Sequence, residues 1–356
     1  MEKLRVGIAG YGVVGKRRHF HIDLHANLKV VAICDRHFMS SGKMDSGVPY
    51  FSNYKELLAQ DLDILFVCLT NDIAAEVTVA GLERGLHVFC EKPPGRDLSD
   101  MDLVVACKKK HPHLKLKYGF NHRYHDSVSA ALSIINSKEL GDVINLRGVY
   151  GKSKIINFGQ NSDWRSQRAI AGGGILLDQG IHMVDLLRLF GGEFSEVHSF
   201  ISNDFWKHDV EDNAYALMRT KNKIVAMLHS SATQWRHQFQ LDISLEKGAI
   251  TLSGILSGSK SYGSEKMTIA WATQDDCGDP KEQTTRYNED NSWKYEIAEF
   301  ADAILGKAEI KHGTLEDAYN TMSLVYQIYY ADLAWSDRWS LKAKSKSKKL
   351  NFELID

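Results

Sequence analysis

The chain has 356 residues, of which 44% are hydrophobic and 25% charged, and its formal net charge is −1. This length predicts two domains, because a single hydrophobic core stops growing at about 250–300 residues. The low net charge argues against nucleic acid or anionic membranes as partners. No apolar run reaches the ~20 residues that span a bilayer. The start, MEKLRVGIAG, lacks a signal-peptide pattern. The cysteines at 34, 68, 90, 107 and 277 form no CxxC pair, so we expect reduced thiols and a cytoplasmic protein.

The first 120 residues alternate strands and helices. Apolar, β-branched segments predict strands at 4–10, 28–35, 63–70, 86–93 and 114–120, with helices at 13–25, 53–59, 72–84 and 97–110. Continuous apolar strands separated by helices are typical of a parallel sheet that is covered on both faces. The sequence therefore predicts a doubly wound α/β domain over residues 1–122.

The pattern changes after about residue 120. A helix near 127–137 and a strand at 143–150 precede a loop of about 20 residues, and helices return at 292–305 and 314–334. Between 195 and 271, six strand segments with short turns such as TKNK and EKG predict an antiparallel sheet. We expect an α+β domain with a large, open, mainly antiparallel sheet at 123–340, whose final helices can pack back on the first domain, and a basic tail at 341–356.

The segment GYGVVG places Gly10, Gly12 and Gly15 in a GxGxxG pattern between a predicted strand and a predicted helix. In this context the pattern predicts a Rossmann dinucleotide-binding domain, with the pyrophosphate at the helix N-terminus. Asp35 ends the second strand and can accept a hydrogen bond from the adenosine ribose. Asp35 favours NAD, whereas Arg36 beside it could hold the 2′-phosphate of NADP, so NAD is the predicted cofactor and NADP the alternative.

The strand at 86–93 ends in Glu91-Lys92-Pro93. Ligands of open α/β sheets bind outside the carboxyl ends of the strands, so we expect Lys92 to emerge at the cofactor cleft. Pro93 restricts Lys92 to an extended backbone and so fixes the direction of its ammonium group.

The segment GGGILLDQGIHMVD combines apolar residues with ionisable ones in an unusual pattern. From Gly174 the predicted helix is apolar nearly all round, as in a buried helix, yet Asp178, His182 and Asp185 follow i, i+4, i+7 spacing. A metal site and a purely structural Asp–His pair are alternatives. The preferred interpretation places this stripe at the cleft opposite Lys92, with His182 in acid–base work and Asp178 orienting the substrate or the imidazole. The glycines would let the backbone approach the ligand closely.

These motifs, with FNHRY at 120–124 and Trp164-Arg165, resemble the Gfo/Idh/MocA family of dehydrogenases over roughly residues 4–334. The resemblance implies a Rossmann domain followed by a domain on a large open antiparallel sheet. It also implies that Lys92 and His182 form the catalytic pair with Asp178 beside them. One departure is LTNDIA, where Thr70 replaces a common proline and Ala74 a common histidine.

The resemblance further implies that Asn121 and Arg123 lie near cofactor and substrate, and that Trp164 and Arg165 border the sugar site. The predicted cofactor contacts are Gly10, Gly12, Val13, Val14, Gly15, Asp35, Arg36, Thr70, Asn71, Glu91, Lys92 and Asn121. The predicted substrate contacts are Lys92, Arg123, Trp164, Arg165, Asp178 and His182.

The predicted activity is hydride transfer between a nicotinamide and a ring hydroxyl or ketone of a sugar. Loop cations (Lys152, Lys154, Arg165 and Arg168) could hold a phosphate, a carboxylate or a diphosphate, although they could equally be ordinary loop charges. EKPPGR and SYGSE (261–265) resemble family members of bacterial surface-sugar synthesis, which favours a nucleotide-activated or amino sugar. Alternatives are an inositol or free-sugar dehydrogenase, a glycosidase that retains NAD and, last, a non-catalytic NAD-binding regulator.

The strand KIVAMLHSSAT carries apolar residues on both faces. Val225 and Met227 alternate with Ala226 and Leu228, so a face not needed by the first domain could pack against another subunit. We therefore expect a homodimer or homotetramer formed through the C-terminal sheet.

Overall fold

The computed structural model describes residues 2–155, 163–273 and 278–341. Cys277 and all but the first residue of the predicted basic tail lie outside these ranges. The structure contains two sheets, and the predicted fold class is confirmed. None of the described helices is both long and apolar enough to cross a membrane.

The first sheet has seven strands and is parallel except at one edge. Its strands are β1 (Leu4–Ala9), β2 (Leu28–Cys34), β3 (Gly42–Lys43), β4 (Pro49–Phe51), β5 (Ile64–Val67), β6 (His87–Cys90) and β7 (Leu116–Tyr118). The spatial order is β3-β4-β2-β1-β5-β6-β7, with only β3 antiparallel to its neighbour. The chain passes to β2 on one side of β1 and later to β5 on the other. This reversal opens a crevice at the carboxyl ends of β1 and β5, where ligands of such sheets bind.

Helices cover both faces of this sheet. The first-domain helices are α1 (Val13–Asp23), α2 (Tyr54–Leu58), α3 (Asn71–Glu83) and α4 (Leu98–Lys108). The second-domain helices are α5 (Asp126–Ser137), α6 (Arg168–Ala171), α7 (Ile181–Gly191), α8 (Ser292–Ile304), α9 (Leu315–Ala331) and α10 (Leu333–Arg338). The helix α8 packs Phe300 edge-on to the stacked rings of Phe66 and Phe89, so it completes the core on the α1 side of the first sheet.

The second sheet has eight strands, namely β8 (Val143–Gly151), β9 (Phe194–Ser202), β10 (Asn213–Thr220), β11 (Val225–Ser231), β12 (Gln238–Leu245), β13 (Gly248–Ser253), β14 (Glu265–Trp271) and β15 (Lys281–Tyr287). Their order is β15-β14-β13-β12-β8-β11-β10-β9, and only the central β8–β11 pair is parallel. Alternate residues of each strand point to opposite faces. Ala226 and Leu228 are fully buried beneath the helices, whereas Val225 and Met227 are 43% and 37% exposed on the outer face.

Several local features differ from the sequence prediction, among them the short elements β3, β4 and α6, which were not predicted. The strand β15 was not predicted because its residues KEQTTRY are polar and mostly exposed at the sheet edge. The single helix expected at 314–334 is divided at Asp332, which has extended dihedral angles and caps α10. The helix expected from Gly174 begins with a π-helical turn, Leu176–Gly180, that leads into α7.

Buried Glu211 explains the start of that helix. Its Oε2 and Oε1 atoms accept hydrogen bonds from the main-chain N–H groups of Gly174 at 2.7 Å and Leu176 at 2.9 Å. A Cβ on Gly174 would strike the Glu211 main chain, and Gly172 and Gly173 pack equally closely against Arg96 and Tyr329. The three glycines therefore serve contacts within the protein, which corrects the expectation that they open the backbone to a ligand.

Candidate active site

The glycine turn between β1 and α1 fits a dinucleotide pyrophosphate. Gly10 has a φ of +92°, and a Cβ there would strike the main-chain carbonyl that follows β5. A Cβ on Gly15 would strike the carbonyl oxygen of Gly10, whereas that of Gly12 would meet no heavy atom within 4 Å apart from its chain neighbours. The helix α1 begins with Val13 and Val14 and has no side-chain cap on its first N–H groups. The turn thus combines an open approach with free, positively polarised N–H groups.

Asp35 directly follows β2 at the same end of the sheet. Its Oδ2 atom accepts a hydrogen bond from the main-chain N–H of Tyr11 at 2.7 Å, and its Oδ1 atom lies 3.0 Å from the main-chain N and 2.7 Å from the Nδ1 atom of His37. Burial opposes ionisation, but the hydrogen bonds from His37 and Tyr11 outweigh it and lower the pKa of Asp35. The ionised carboxylate can accept ribose hydroxyls. Arg36 beside it is exposed.

Thr70 and Asn71 begin α3 near the same crevice. Thr70 is the N-cap residue of α3. Asn71 is buried, and its amide nitrogen donates a hydrogen bond to the carbonyl oxygen of Ala171 at 2.7 Å. The side chain of Asn71 therefore links α3 to the segment that precedes the glycine run, and the predicted cofactor contact at Asn71 stays a prediction.

The Glu91-Lys92-Pro93 turn follows β6, and its Lys92–Pro93 peptide bond is cis. The Glu91 carboxylate accepts a hydrogen bond from the Nε atom of fully buried Arg18 at 2.6 Å, so the predicted cofactor contact of Glu91 would have to come from its main chain. The Nζ atom of Lys92 donates to the main-chain carbonyl of Asp178 at 2.6 Å. Burial lowers the pKa of Lys92, and Arg165 adds to this effect while Asp178 opposes it. This contact brings the EKP turn and the π-helical turn together, as the sequence predicted.

Asp178 and His182 project from successive turns of the same helical segment. The Oδ1 atom of Asp178 accepts a hydrogen bond from the Nε atom of Arg165 at 3.0 Å. The Oδ2 atom of Asp178 and the Nδ1 atom of His182 are buried without a hydrogen-bond partner among the described residues. Burial raises the pKa of Asp178, but Arg165, Lys92 and Lys152 outweigh it, so the net pKa is lowered. Burial, with help from His122 and Lys92, holds the pKa of His182 well below its usual value, so its imidazole is neutral at pH 7.

Arg123 and Asp185 lie beside the site but not in it. The Nε and Nη2 atoms of Arg123 each bind a carboxylate oxygen of Asp185 at 2.7 Å, and Nη2 also lies 3.0 Å from Asp317. Asp185 is fully buried and Arg123 is 5% exposed. The spacing of Asp178, His182 and Asp185 therefore did not predict one functional stripe, and the guanidinium expected to contact substrate is engaged in a buried ion pair.

The structure adds aromatic residues that the sequence analysis did not select. His122 stacks on His182 with ring centroids 3.7 Å apart and planes inclined by 12°. The Nε2 atom of His122 lies 3.2 Å from the hydroxyl of Tyr150, and Tyr150 packs edge-on to Tyr262. His122 lies inside the FNHRY motif, but only Asn121 and Arg123 on either side of it were selected. Tyr150 and Tyr262 had no local signal, because single tyrosines in strands and loops are common.

The site carries more positive than negative charge. Lys92, Lys152 and Arg165 all lower the pKa of the Asp178 carboxylate, and Glu91 also acts on Lys92. Burial, with the nearby cations, lowers the pKa of Lys152 to about 8. The guanidinium of Arg165 lies 4.2 Å from the ring centroid of Trp164. By contrast, the Nε atom of Arg168 donates to the main-chain carbonyl of Asp209 at 2.9 Å, and its guanidinium lies over Trp335 and Trp339.

A Rossmann crevice with a glycine turn, a carboxylate directly after β2, and a lysine that contacts the helical segment of Asp178 and His182 is the arrangement of a nicotinamide-dependent oxidoreductase. Sequence profiles agree with this class. Residues 4–120 match the oxidoreductase family with the NAD-binding Rossmann fold, and residues 128–251 match the GFO/IDH/MocA C-terminal domain. The chain belongs to the Gfo/Idh/MocA oxidoreductase family, and its cofactor is a nicotinamide dinucleotide.

Individual relatives are distant. Levoglucosan dehydrogenase from Pseudarthrobacter phenanthrenivorans is 26% identical over 222 residues, which are 57% of this chain but only 55% of that protein. A putative UDP-kanosamine synthase oxidoreductase subunit from Amycolatopsis mediterranei is 27% identical over 68% of this chain and 71% of its own length. A solved structure of levoglucosan dehydrogenase in complex with NADH has a TM-score of 0.80 at 20% identity, covering 94% of this chain and 98% of that one. This last likeness concerns the fold.

Proposed function

We propose that the protein oxidises a ring CH–OH group of a sugar to a ketone, or catalyses the reverse reduction. The observation that carries this proposal is the contact between the Lys92 ammonium and the helical segment of Asp178 and His182 at the edge of the cofactor crevice. A bound nicotinamide supplies the acceptor or donor of the hydride. The chain itself must then position the sugar, move one proton and stabilise the charge on the reacting oxygen.

In this proposal His182 is the acid–base residue. Its lowered pKa leaves the imidazole neutral at pH 7, so it can take the hydroxyl proton as the hydride departs and return it in the reverse direction. Lys92 polarises the same oxygen and stabilises its developing negative charge. Asp178 holds Arg165 on one side and receives Lys92 at its main-chain carbonyl on the other, so it keeps the two cations apart and orients the substrate.

The excess positive charge favours a substrate with a negative group. Lys92, Lys152 and Arg165 lie near the carboxylate of Asp178, and the other nearby carboxylate, Glu91, is already paired with Arg18. A sugar phosphate, a uronate or the diphosphate of a nucleotide sugar would compensate the remaining positive charge. The relative named as a putative UDP-kanosamine synthase oxidoreductase subunit also supports a nucleotide sugar as the substrate. We therefore prefer a nucleotide-activated or amino sugar of surface-polysaccharide synthesis. The relative named levoglucosan dehydrogenase supports the second candidate, an uncharged inositol or free sugar.

The test is the near-ultraviolet absorbance of reduced nicotinamide with NAD and, separately, NADP over inositols, free hexoses, uronic acids and UDP-sugars. Turnover that falls ~10²–10⁴-fold in His182→Ala, with cofactor affinity retained, supports the assigned roles. Unchanged turnover in that variant would refute them. Tight cofactor binding without net reduction, together with glycoside cleavage, would favour a glycosidase that retains NAD. Cofactor binding with neither reaction would favour a non-catalytic regulator.

We also propose assembly through the outer face of the second sheet. Phe200, Tyr215 and Leu217 lie exposed on neighbouring β9 and β10 beside Val225 and Met227, which makes a contiguous apolar surface of the kind that subunits bury. A homodimer or homotetramer would cover it. A cytoplasmic location is supported by Cys34, Cys68, Cys90 and Cys107, which are free thiols.

A further inference from the structure

His122 occupies an unusual position between the proposed acid–base residue and the second sheet. One face of its ring lies against His182 at a centroid separation of 3.7 Å. Both of its ring nitrogens have hydrogen-bond partners, Asn121 on the Nδ1 side and Tyr150 on the Nε2 side. Its ring is therefore held in place at both edges while one face remains available to His182.

A chain of hydrogen bonds determines which nitrogen of His122 carries the proton. The carboxylate of Asp290 can only accept, so the hydroxyl of Ser292 donates to it at 2.6 Å. Ser292 then accepts from the amide nitrogen of Asn121 at 3.1 Å. The amide oxygen of Asn121 is left to accept from Nδ1 of His122 at 3.2 Å, and Nε2 accepts from the hydroxyl of Tyr150 at 3.2 Å. Of the two neutral tautomers, only the Nδ1–H form satisfies all four contacts, because the amide oxygen of Asn121 can only accept.

The other groups near His182 either disfavour a positive charge on its ring or have little effect on that charge. Lys92 opposes protonation of His182, as do His122 and His125 when charged. The Nδ1 atom of His125 lies 2.7 Å from Glu265, which compensates any charge there. Phe120 meets the His182 ring edge-on at 6.4 Å. Asp178, one turn earlier on the same helical segment, is paired with Arg165 through one of its oxygens.

We infer that His122 is a positioning residue of the reaction, whose neutral ring face supports the imidazolium that forms when His182 takes the substrate proton. This inference rests on the proposed function. A cation is stabilised over the face of a neutral aromatic ring, particularly where water is excluded. A protonated His122 would instead repel that imidazolium. Burial, with His125 and Lys92, holds the pKa of His122 well below its usual value, and the chain that ends at Asp290 selects the Nδ1–H form of the neutral ring.

The kinetic test is the acid limb of kcat against pH, which reports the protonation of His182 in the substrate complex. In His122→Leu the supporting face is lost, and we expect the limb to move to lower pH by about 0.5–1 unit, with kcat reduced about 3–10-fold and KM changed less than about twofold. His122→Phe keeps an aromatic face, and its limb should stay near that of the wild type. His87→Leu is the matched control, because His87 begins β6 at the end of the strand away from the Lys92 turn.

A limb that moves to higher pH in both variants would show that His122 is charged in the wild type, and this result would overturn the inference. An unmoved limb in His122→Leu would also overturn it, because a merely structural residue affects stability without shifting the profile.

Histidine ¹⁵N nuclear magnetic resonance of the wild-type protein provides a test that needs neither turnover nor a folded variant. We expect His122 to be neutral with its proton on Nδ1 at pH 7. The Nε2–H tautomer or the doubly protonated ring would refute the inference. If the wild type turned over no sugar, the proposed function would fail, whereas the tautomer would still be determined.

Discussion

Replacing Asp185 with asparagine tests whether Arg123 is a structural or a substrate-binding residue. The pair is bidentate, with two contacts of 2.7 Å, and Asp185 is fully buried. Removing one partner of a buried ion pair costs about 3–5 kcal/mol. Asp317 remains 3.0 Å from the guanidinium, so we expect the lower end, about 3 kcal/mol. A chain of 356 residues unfolds with an entropy of about 0.75 kcal/mol per kelvin, so Tm should fall by about 4 °C.

The assay is thermal unfolding of Asp185→Asn and of a control, Asp142→Asn, at the same protein concentration. Asp142 forms a 2.6 Å pair with Lys138, but both side chains are more than 60% exposed. Exposed pairs contribute about 0–1 kcal/mol, so Tm of the control should change by about 1 °C or less. Cofactor affinity should be unchanged in the control.

The reasoning would be refuted if Asp185→Asn kept its Tm and instead raised KM for the sugar. That result would mean that the Arg123 guanidinium is available to the substrate, as the family resemblance implied, and that the buried ion pair contributes little to folding.

Three further outcomes are expected. Gly12→Ala should keep its Tm but weaken dinucleotide binding in calorimetry at least tenfold, because the new Cβ meets no protein atom yet lies where the pyrophosphate is expected to approach. Gly15→Ala should lower both Tm and dinucleotide affinity, because its Cβ strikes the Gly10 carbonyl. The pKa of Lys152 is lowered to about 8, so its positive charge is present below pH 8 and lost above it. KM for an anionic sugar should therefore rise between about pH 7 and 9. Lys152→Met should raise KM about tenfold and remove this pH dependence. Met227→Glu should shift the sedimentation coefficient toward that of the monomer, whereas an unchanged coefficient would exclude the outer sheet face as the interface.

Local patterns in the sequence were sufficient for the first domain. The GYGVVG turn is determined by steric limits within a few residues, since Gly10 requires a positive φ and Gly15 lies against Gly10 itself. The placement of Asp35 and Lys92 followed from a rule about the carboxyl ends of parallel strands, which applies whenever strands and helices alternate. The strand segments and short turns between residues 195 and 271 also predicted the second sheet, in agreement with the family resemblance.

The tertiary structure decided the remainder of the site. The spacing of His182 and Asp185 is compatible with one functional face, but Arg123 approaches from a different segment and binds Asp185. The stacking of His122 on His182 joins residues 60 positions apart through the packing of one short turn against α7. No local sequence pattern predicts such contacts, because they depend on how segments that are distant in the chain pack against each other.

The sequence by itself thus determined the alternation of strands and helices in a dinucleotide-binding domain, its cofactor turn and the lysine at its edge, because steric and periodic constraints act between near neighbours. Only the tertiary structure decided which charged groups lie at the candidate site and which are neutralised in buried ion pairs. The physical reason is that burial and the partner of each ionisable group, rather than its residue type, set whether its charge is available.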